Sequence, residues 1–230
     1  MRLSIVIPAH NEAATLPIII ERVKKVSLPG EKEIIVVDDG STDDTPEVLD
    51  KIIGIKVLRN LLNQGKGAAL KKGFEKATGD IVLVQDADLE YDPEEYGRLL
   101  KPILGGKADV VFGSRFRGEA SRVLYFWHYL GNTLVTLVSN MLTNLNLTDV
   151  YTCYKVFKKE ALEKILPRLR SKGFAIEAEL TARVAHGHFR IYEVPVSYAG
   201  RTYEEGKKIR WFDGARAIAA ILWFNIVDRS

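Results

Sequence analysis

Short apolar runs rich in β-branched residues alternate with stretches of helical periodicity along the first 115 residues. The runs fall at 4–7, 33–37, 55–59, 81–85 and 109–112, and the helical stretches between them at 14–26, 45–53, 66–77 and 93–104. Near-continuous apolar strands separated by helices predict an α/β fold with a mostly parallel central sheet and helices on both faces. Ser41 and Thr42 ahead of Pro46, and Asp92 ahead of Pro93-Glu94-Glu95, predict helix starts, and Gly79 predicts the end of the third helix. Beyond 115 the rhythm changes. A long helical segment is followed by a strand-like run at 153–157, helices near 159–166 and 177–186, a second strand-like run at 189–196, and an amphipathic stretch from Ile209. No Pro/Gly/Ser-rich linker interrupts the chain, so one domain over 1–230 is expected.

Composition narrows the class. With 47% hydrophobic and 27% charged residues, the 230-residue chain is neither disordered nor fibrous. A single cysteine excludes an intrachain disulfide and a structural zinc site, and suits a reducing compartment. The apolar run at 3–9 is short and runs straight into Asn11-Glu12, so no signal peptide is expected. No run of about 20 continuous apolar residues suggests a membrane span. The net charge of +3 is too small for a nucleic-acid binder acting through its overall field. It divides into −3 over residues 1–150 and +6 over 151–230, and residues 123–148 contain no Asp, Glu, Lys or Arg.

Open parallel sheets bind ligands outside the carboxyl ends of their strands. The first strand leads into Pro8-Ala9-His10-Asn11-Glu12, the second into Asp38-Asp39-Gly40-Ser41 and the fourth into Asp86-Ala87-Asp88. Five carboxylates at one rim would repel a nucleotide unless a cation lay between them. Asp86 and Asp88, two apart on extended backbone, point to one side and suit Mg²⁺ or Mn²⁺ shared with substrate phosphates. Asp38 and Asp39 can accept hydrogen bonds from uracil or from guanine, and equally well can cap the next helix. Gly65-Lys66-Gly67 at a helix start resembles a phosphate cradle. There is no P-loop spacing and no Gly-x-Gly-x-x-Gly, so ATPase and dinucleotide oxidoreductase readings lose support. Cys153 has no His nearby in sequence and reads as a core residue.

Together, Val6-Ile7-Pro8-Ala9-His10-Asn11-Glu12, Val36-Val37-Asp38-Asp39-Gly40-Ser41-Thr42-Asp43, Asn63-Gln64-Gly65-Lys66-Gly67 and Gln85-Asp86-Ala87-Asp88-Leu89-Glu90 make residues 1–118 resemble a family 2 glycosyltransferase of the GT-A fold. Gly113-Ser114-Arg115, the run Asp149 to Phe157, Gly173 to Glu177, Gly200-Arg201-Thr202 and Glu205 to Lys208 resemble the branch that loads mannose or glucose onto polyprenyl or dolichyl phosphate. The resemblance implies that residues 1–118 bind a nucleotide sugar and 119–230 form the acceptor and membrane-interface part. It implies that Pro8, His10, Glu12 and Asp39 line the nucleoside pocket, that Asp86 and Asp88 hold the metal with Glu90 beside them, and that Arg115 and Arg122 face the acceptor phosphate. Arg201 with Lys207 or Lys208 would close over the diphosphate. His10 stands where Tyr is common and Glu90 where the mannose synthases tend to have Gln.

The charge-free segment places Val123, Trp127, Leu130, Leu134, Leu137, Met141 and Leu145 on one helical face, and His128, Asn132, Thr136, Ser139, Asn140 and Thr143 on the other. Trp211, Phe212, Ile218, Ile221, Leu222 and Trp223 follow Lys207, Lys208 and Arg210, a pattern suited to an anionic interface. The expectation is two interfacial helices at the cytoplasmic face of a membrane; the alternative is a sheet cover or a homo-oligomer contact. A lipid monophosphate is already anionic near neutral pH, with a second pKa of about 6 as for phosphorylated side chains, and needs no strong base. A hydroxyl acceptor would need one, and Asp149 and Glu177 are the best candidates. The expected activity is therefore metal-dependent, inverting transfer of a hexose to polyprenyl phosphate, with GDP-mannose favoured as donor over UDP-glucose. A transferase acting on a saccharide hydroxyl, and a non-catalytic nucleotide-sugar-binding membrane protein, are the alternatives.

Overall fold

In the computed structural model, which describes residues 1–118, 122, 123, 125–202, 204 and 211–229, β1 (Arg2–Ala9) and β2 (Glu31–Asp39) are neighbouring interior strands of a seven-stranded sheet. Their runs Ile5-Val6-Ile7 and Ile35-Val36-Val37 are buried on both faces because helices cover each side. The other strands are β3 (Lys56–Asn60), β4 (Ile81–Val84), β5 (Val110–Ser114), β6 (Lys155–Lys158) and β7 (Ile191–Pro195), in the order β3-β2-β1-β4-β6-β5-β7. Every pairing is parallel except those of β6, which runs antiparallel to both β4 and β5. The reversal positions the site. The chain entering β6, residues 149–154, lies at the same rim as the carboxyl ends of the parallel strands.

The helices are α1 (Leu16–Lys25), α2 (Thr45–Asp50), α3 (Lys66–Lys76), α4 (Tyr96–Leu104), α5 (Phe126–Thr143), α6 (Lys159–Ile165), α7 (Ile176–His186) and α8 (Trp211–Leu222), the last continuing as a π-helical turn over Trp223–Val227. The expected alternation and the mixed α/β class are present. Asp92 caps its turn as expected, accepting from the Glu94 N–H at 3.1 Å. Two local expectations are corrected. Asp44 is the N-cap residue of α2, while Ser41 and Thr42 tie to Asn11 instead, at 3.0 and 2.8 Å. α3 ends at Lys76, and Gly79 serves close approach: a Cβ there would lie 2.7 Å from the Arg2 carbonyl oxygen and the Ser4 nitrogen.

A second, smaller core lies outside the main one. Val135 of α5, Ala178 and Ala182 of α7, and Ala217, Ala220, Ile221 and Phe224 from α8 and its π-helical turn meet there, small side chains letting the helices pack closely. This packing turns the polar stripe of α5 inward. Its apolar stripe faces out, with Trp127 75%, Leu134 51%, Leu137 54% and Met141 75% exposed. Covering the sheet with that stripe, the expected alternative to a membrane contact, is therefore not what this helix does.

Gly65 takes φ +97° at the start of α3, and a Cβ on it would lie 2.6 Å from the Lys172 carbonyl oxygen, which is backbone and cannot swing away. Replacing Gly65 with Ala is expected to cost about 2 kcal/mol or more through strain and clash, read as a lower denaturation midpoint in urea.

Candidate active site

Three groups of side chains share the rim. In the first, Lys66 at the start of α3 reaches across to β4. Its Nζ lies 2.8 Å from Asp86 Oδ1 and 3.1 Å from Glu177 Oε1 on the first turn of α7. Glu177 Oε2 lies 3.4 Å from Nζ of Lys155, which is fully buried and donates to the carbonyls of Val150 and Thr152 at 3.1 and 2.6 Å. The charges alternate, as buried charges must. Burial pulls the Lys66 ammonium down, but Asp86 and Glu177 outweigh it and hold its pKa well above the usual lysine value.

The second group is Asp88, Glu90 and Arg201. Arg201 Nη2 lies 2.9 Å from Asp88 Oδ2, and its Nε 3.2 Å from Glu90 Oε1. The Arg201 N–H and the Tyr198 hydroxyl also donate to Glu90, at 3.0 and 2.9 Å. Burial, with Asp86 and Glu90 alongside, pushes the Asp88 carboxyl up to about 7 against the pull of Arg201. Carboxylates crowded to this degree are a locus for added positive charge. Among the described residues no three His, Cys, Asp or Glu side chains converge as a ready metal cage. The donor set suits a cation held by one or two carboxylates and completed by substrate phosphates, which is the Mg²⁺ mode. Asp86 and Asp88 could serve in that way once Lys66 and Arg201 yield to the cation, and Glu90 is held in addition by the Tyr198 hydroxyl.

The third group centres on Arg115, just past β5. Its Nε and Nη2 make a bidentate pair with Asp149, at 2.6 and 2.8 Å, and its guanidinium lies over the Tyr198 ring, 5.0 Å from the centroid. Asp149 is fully buried, and its backbone N–H is held by Glu193 Oε1 at 3.1 Å. Burial would raise the Asp149 carboxyl, but Arg115 holds it below the usual carboxylate range.

The two base candidates are both paired carboxylates: Asp149 anchors Arg115, and Glu177 joins two lysines. The phosphate-cradle reading of Gly65-Lys66-Gly67 changes. The Gly65 N–H donates to Asp39 Oδ2 at 2.6 Å and the Ala68 N–H to the Lys172 carbonyl at 3.0 Å, and the glycines admit the 171–173 segment. Asp39 accepts from Asn60, Gln64 and Gly65, the Gln64 N–H being shared between its two oxygens, so each oxygen receives two hydrogen bonds. Asp38 accepts from the Ser41 N–H at 3.0 Å, closing a turn at the rim and not capping α2, whose N-cap is Asp44.

Around them, His10 Nδ1 lies 3.1 Å from the Asp39 carbonyl oxygen, which fixes the proton on Nδ1. Pro8, half-buried, lies next to the last residue of β1, and Glu12 accepts from the Thr15 hydroxyl at the head of α1, 2.8 Å away. Arg122 lies along the 198–200 segment, its N–H on the Tyr198 carbonyl and its guanidinium on the Gly200 carbonyl. Lys207, Lys208 and Arg210 lie outside the described residues. Lys155, Glu193 and Tyr198 were not anticipated as site residues. Lys155 sits inside the 149–157 motif and was within reach of the sequence, whereas Tyr198 gives no local signal.

The rim, the sheet order and the antiparallel β6 define a glycosyltransferase of the GT-A fold. The model of Glycosyl transferase family 2 matches residues 4–166, and the chain belongs to that family. It is 33% identical over 210 residues to polyprenol monophosphomannose synthase of Mycolicibacterium smegmatis, covering 87% of this chain and 78% of that one. It is 29% identical over 238 residues to undecaprenyl-phosphate mannosyltransferase of Micrococcus luteus, covering 97% and 94%. Glucosyl-3-phosphoglycerate synthase of Mycobacterium tuberculosis, crystallised with Mn²⁺, UDP and phosphoglyceric acid, superposes with a TM-score of 0.74 at 22% identity, covering 96% of this chain and 77% of that one.

Two outcomes follow from the geometry. Asp149→Asn leaves Arg115 without its buried counter-charge and is expected to destabilise the fold by about 3 kcal/mol or more, measured by urea denaturation. Burial pushes the Cys153 thiol well above its usual pKa, so native protein at pH 8 is expected to resist iodoacetamide while unfolded protein is alkylated, as read by mass spectrometry.

Proposed function

We propose that this chain transfers a hexose from a nucleotide sugar to a polyprenyl phosphate while attached peripherally to a membrane surface, at its cytoplasmic face. The observation that carries the reading is Arg115. A guanidinium anchored on fully buried Asp149 is a fixed cation at the rim, next to a helix that turns its apolar stripe outward. An anionic headgroup on an apolar chain matches both features at once, and the named activities of the two relatives agree with it.

In the proposed reaction an oxygen of the lipid phosphate attacks the anomeric carbon. The bond to the diphosphate breaks on the opposite face, and the nucleoside diphosphate leaves with the electron pair, so configuration inverts. No proton needs to be removed from the nucleophile, consistent with the paired states of Asp149 and Glu177. Arg115 orients the acceptor, and Arg201 is the cation best placed to turn from Asp88 and Glu90 toward the diphosphate. Asp86 and Asp88 would hold Mg²⁺ or Mn²⁺, which when bound screens the charge gathering on the leaving group. Mannose from GDP-mannose is the favoured donor because both relatives are mannosyltransferases; UDP-glucose is the second reading, since a rim carboxylate can accept from uracil as well as from guanine.

No helix among the described residues is long and apolar enough to cross a membrane. Contact would run along the outer stripe of α5, with Trp223, Ile226 and Val227 also exposed beyond α8.

Purified protein with Mg²⁺ or Mn²⁺, GDP-mannose and polyprenyl phosphate is expected to form glycolipid, to stop on adding EDTA and to recover on returning the metal. Asp88→Asn is expected to lower turnover at least about a hundredfold, as fits a cation contributing several kcal/mol. Transfer to a soluble sugar in place of the lipid would overturn the acceptor assignment. In flotation with phosphatidylglycerol vesicles, Trp127→Glu combined with Leu134→Glu is expected to cut the bound fraction about tenfold or more.

A further inference from the structure

The inner face of α5 carries polar side chains at intervals of four, Asn132, Thr136 and Asn140, and each bonds the segment that leads into β6. Asn140 closes a double contact with Leu147, donating to its carbonyl at 2.7 Å and accepting from its N–H at 3.2 Å. Thr136 Oγ1 accepts from the Val150 N–H at 3.3 Å. Asn132 sits at the end of the stripe nearest the rim. Its Nδ2 donates to Asp149 Oδ1 at 3.1 Å, and its Oδ1 accepts from Arg115 Nη2 at 3.4 Å. The amide thus lies across the ion pair with its donor on the anion and its acceptor on the cation. An amide does both, whereas a carboxylate has no donor for Asp149, and an aliphatic side chain offers nothing to either partner.

We propose that Asn132 is a positioning residue for Arg115, so that α5, the helix whose outer stripe is turned to the surroundings, also sets where the acceptor phosphate is received. The inference rests on the reading of Arg115 as the cation for a lipid phosphate. It assigns one helix two tasks on opposite faces, with Trp127, Leu130, Leu134, Leu137 and Met141 outside and the Arg115–Asp149 pair inside. The two faces belong to one rigid element, so the depth at which α5 rests on a surface fixes the height of Arg115 above it.

The test compares Asn132→Leu and the near-isosteric Asn132→Asp with Asn140→Ala, which loosens the same segment further from Arg115. Initial rates are measured in detergent against polyprenyl phosphate at saturating donor, and donor affinity by calorimetry. The wild-type protein must use polyprenyl phosphate; if it does not, the reading of Arg115 fails and this inference falls with it. Given wild-type activity, Asn132→Leu is expected to raise KM for the lipid phosphate about tenfold, the effect of losing charge-assisted hydrogen bonds, with kcat and donor affinity within about twofold. Asn132→Asp, which competes with Asp149 for the guanidinium and repels an anionic acceptor, is expected to raise it further. Asn140→Ala is expected to lower the unfolding temperature while leaving KM near wild type. Wild-type KM in both Asn132 variants, or equal KM changes in all three, would overturn the assignment. If Asn132→Leu does not fold, Asn132→Asp carries the same comparison alone.

Discussion

A charge removed from water must meet an opposite charge or enough hydrogen bonds, and this requirement organises the whole rim. The effective penalty is several kcal/mol per ion, so an isolated Asp149, Lys155 or Glu177 at this depth would not be tolerated. Each is paired, and the pairs draw together residues far apart in sequence: Arg115 with Asp149, Lys66 with Asp86 and Glu177, and Glu177 with Lys155. The consequence is a preorganised surface. The side chains that would meet a donor and an acceptor are held by partners behind them, and little ordering is left for the moment of binding. The same α7 that supplies Glu177 supplies Glu179, which accepts from the Arg170 and Ser171 N–H groups and so steadies the segment packed against the start of α3.

Much of this frame was legible in the sequence because parallel strands buried on both faces leave an unmistakable apolar run, and rim residues follow such runs directly. Asp38, Asp39, Asp86 and Asp88 could be placed on one edge by that rule alone. What could not be read was direction. Nothing in the apolar run Val156-Phe157 distinguishes a parallel strand from an antiparallel one, yet the reversal of β6 is what delivers Asp149 to Arg115. The pairing of the two base candidates was hidden for the same reason: a carboxylate in sequence gives no sign of the cation that tertiary structure will lay on it. Asp38 and Asp39 show a related case: as a cap for the next helix they are displaced by Asp44, and their carboxylates bond Ser41, Asn60, Gln64 and Gly65 at the rim instead.

The long charge-free segment was legible as a helix with an apolar and a polar stripe, but periodicity does not say which stripe turns inward. In water the apolar stripe would ordinarily be buried, at about 25 cal/mol for each Å² removed from solvent. Here the polar stripe wins because it has specific partners. Backbone groups of Leu147 and Val150 and the carboxylate of Asp149 would be left without these hydrogen bonds if α5 rotated, and each buried group so orphaned costs about 1–3 kcal/mol. The rotation of α5 is thus set by the segment behind it, and the outward apolar stripe is its consequence.

Tyr198 joins the two halves of the rim. Its hydroxyl donates to Glu90, which also holds Arg201, and its ring lies under the guanidinium of Arg115. Any movement of Arg201 away from Asp88 and Glu90 changes the charge that Tyr198 bonds to, and with it the face presented to Arg115. On the proposed assignment the donor and acceptor sides are therefore not independent pockets. They share one aromatic side chain, with the hydrogen bond on one edge and the cation–π contact on its face, and each of those contacts responds to charge.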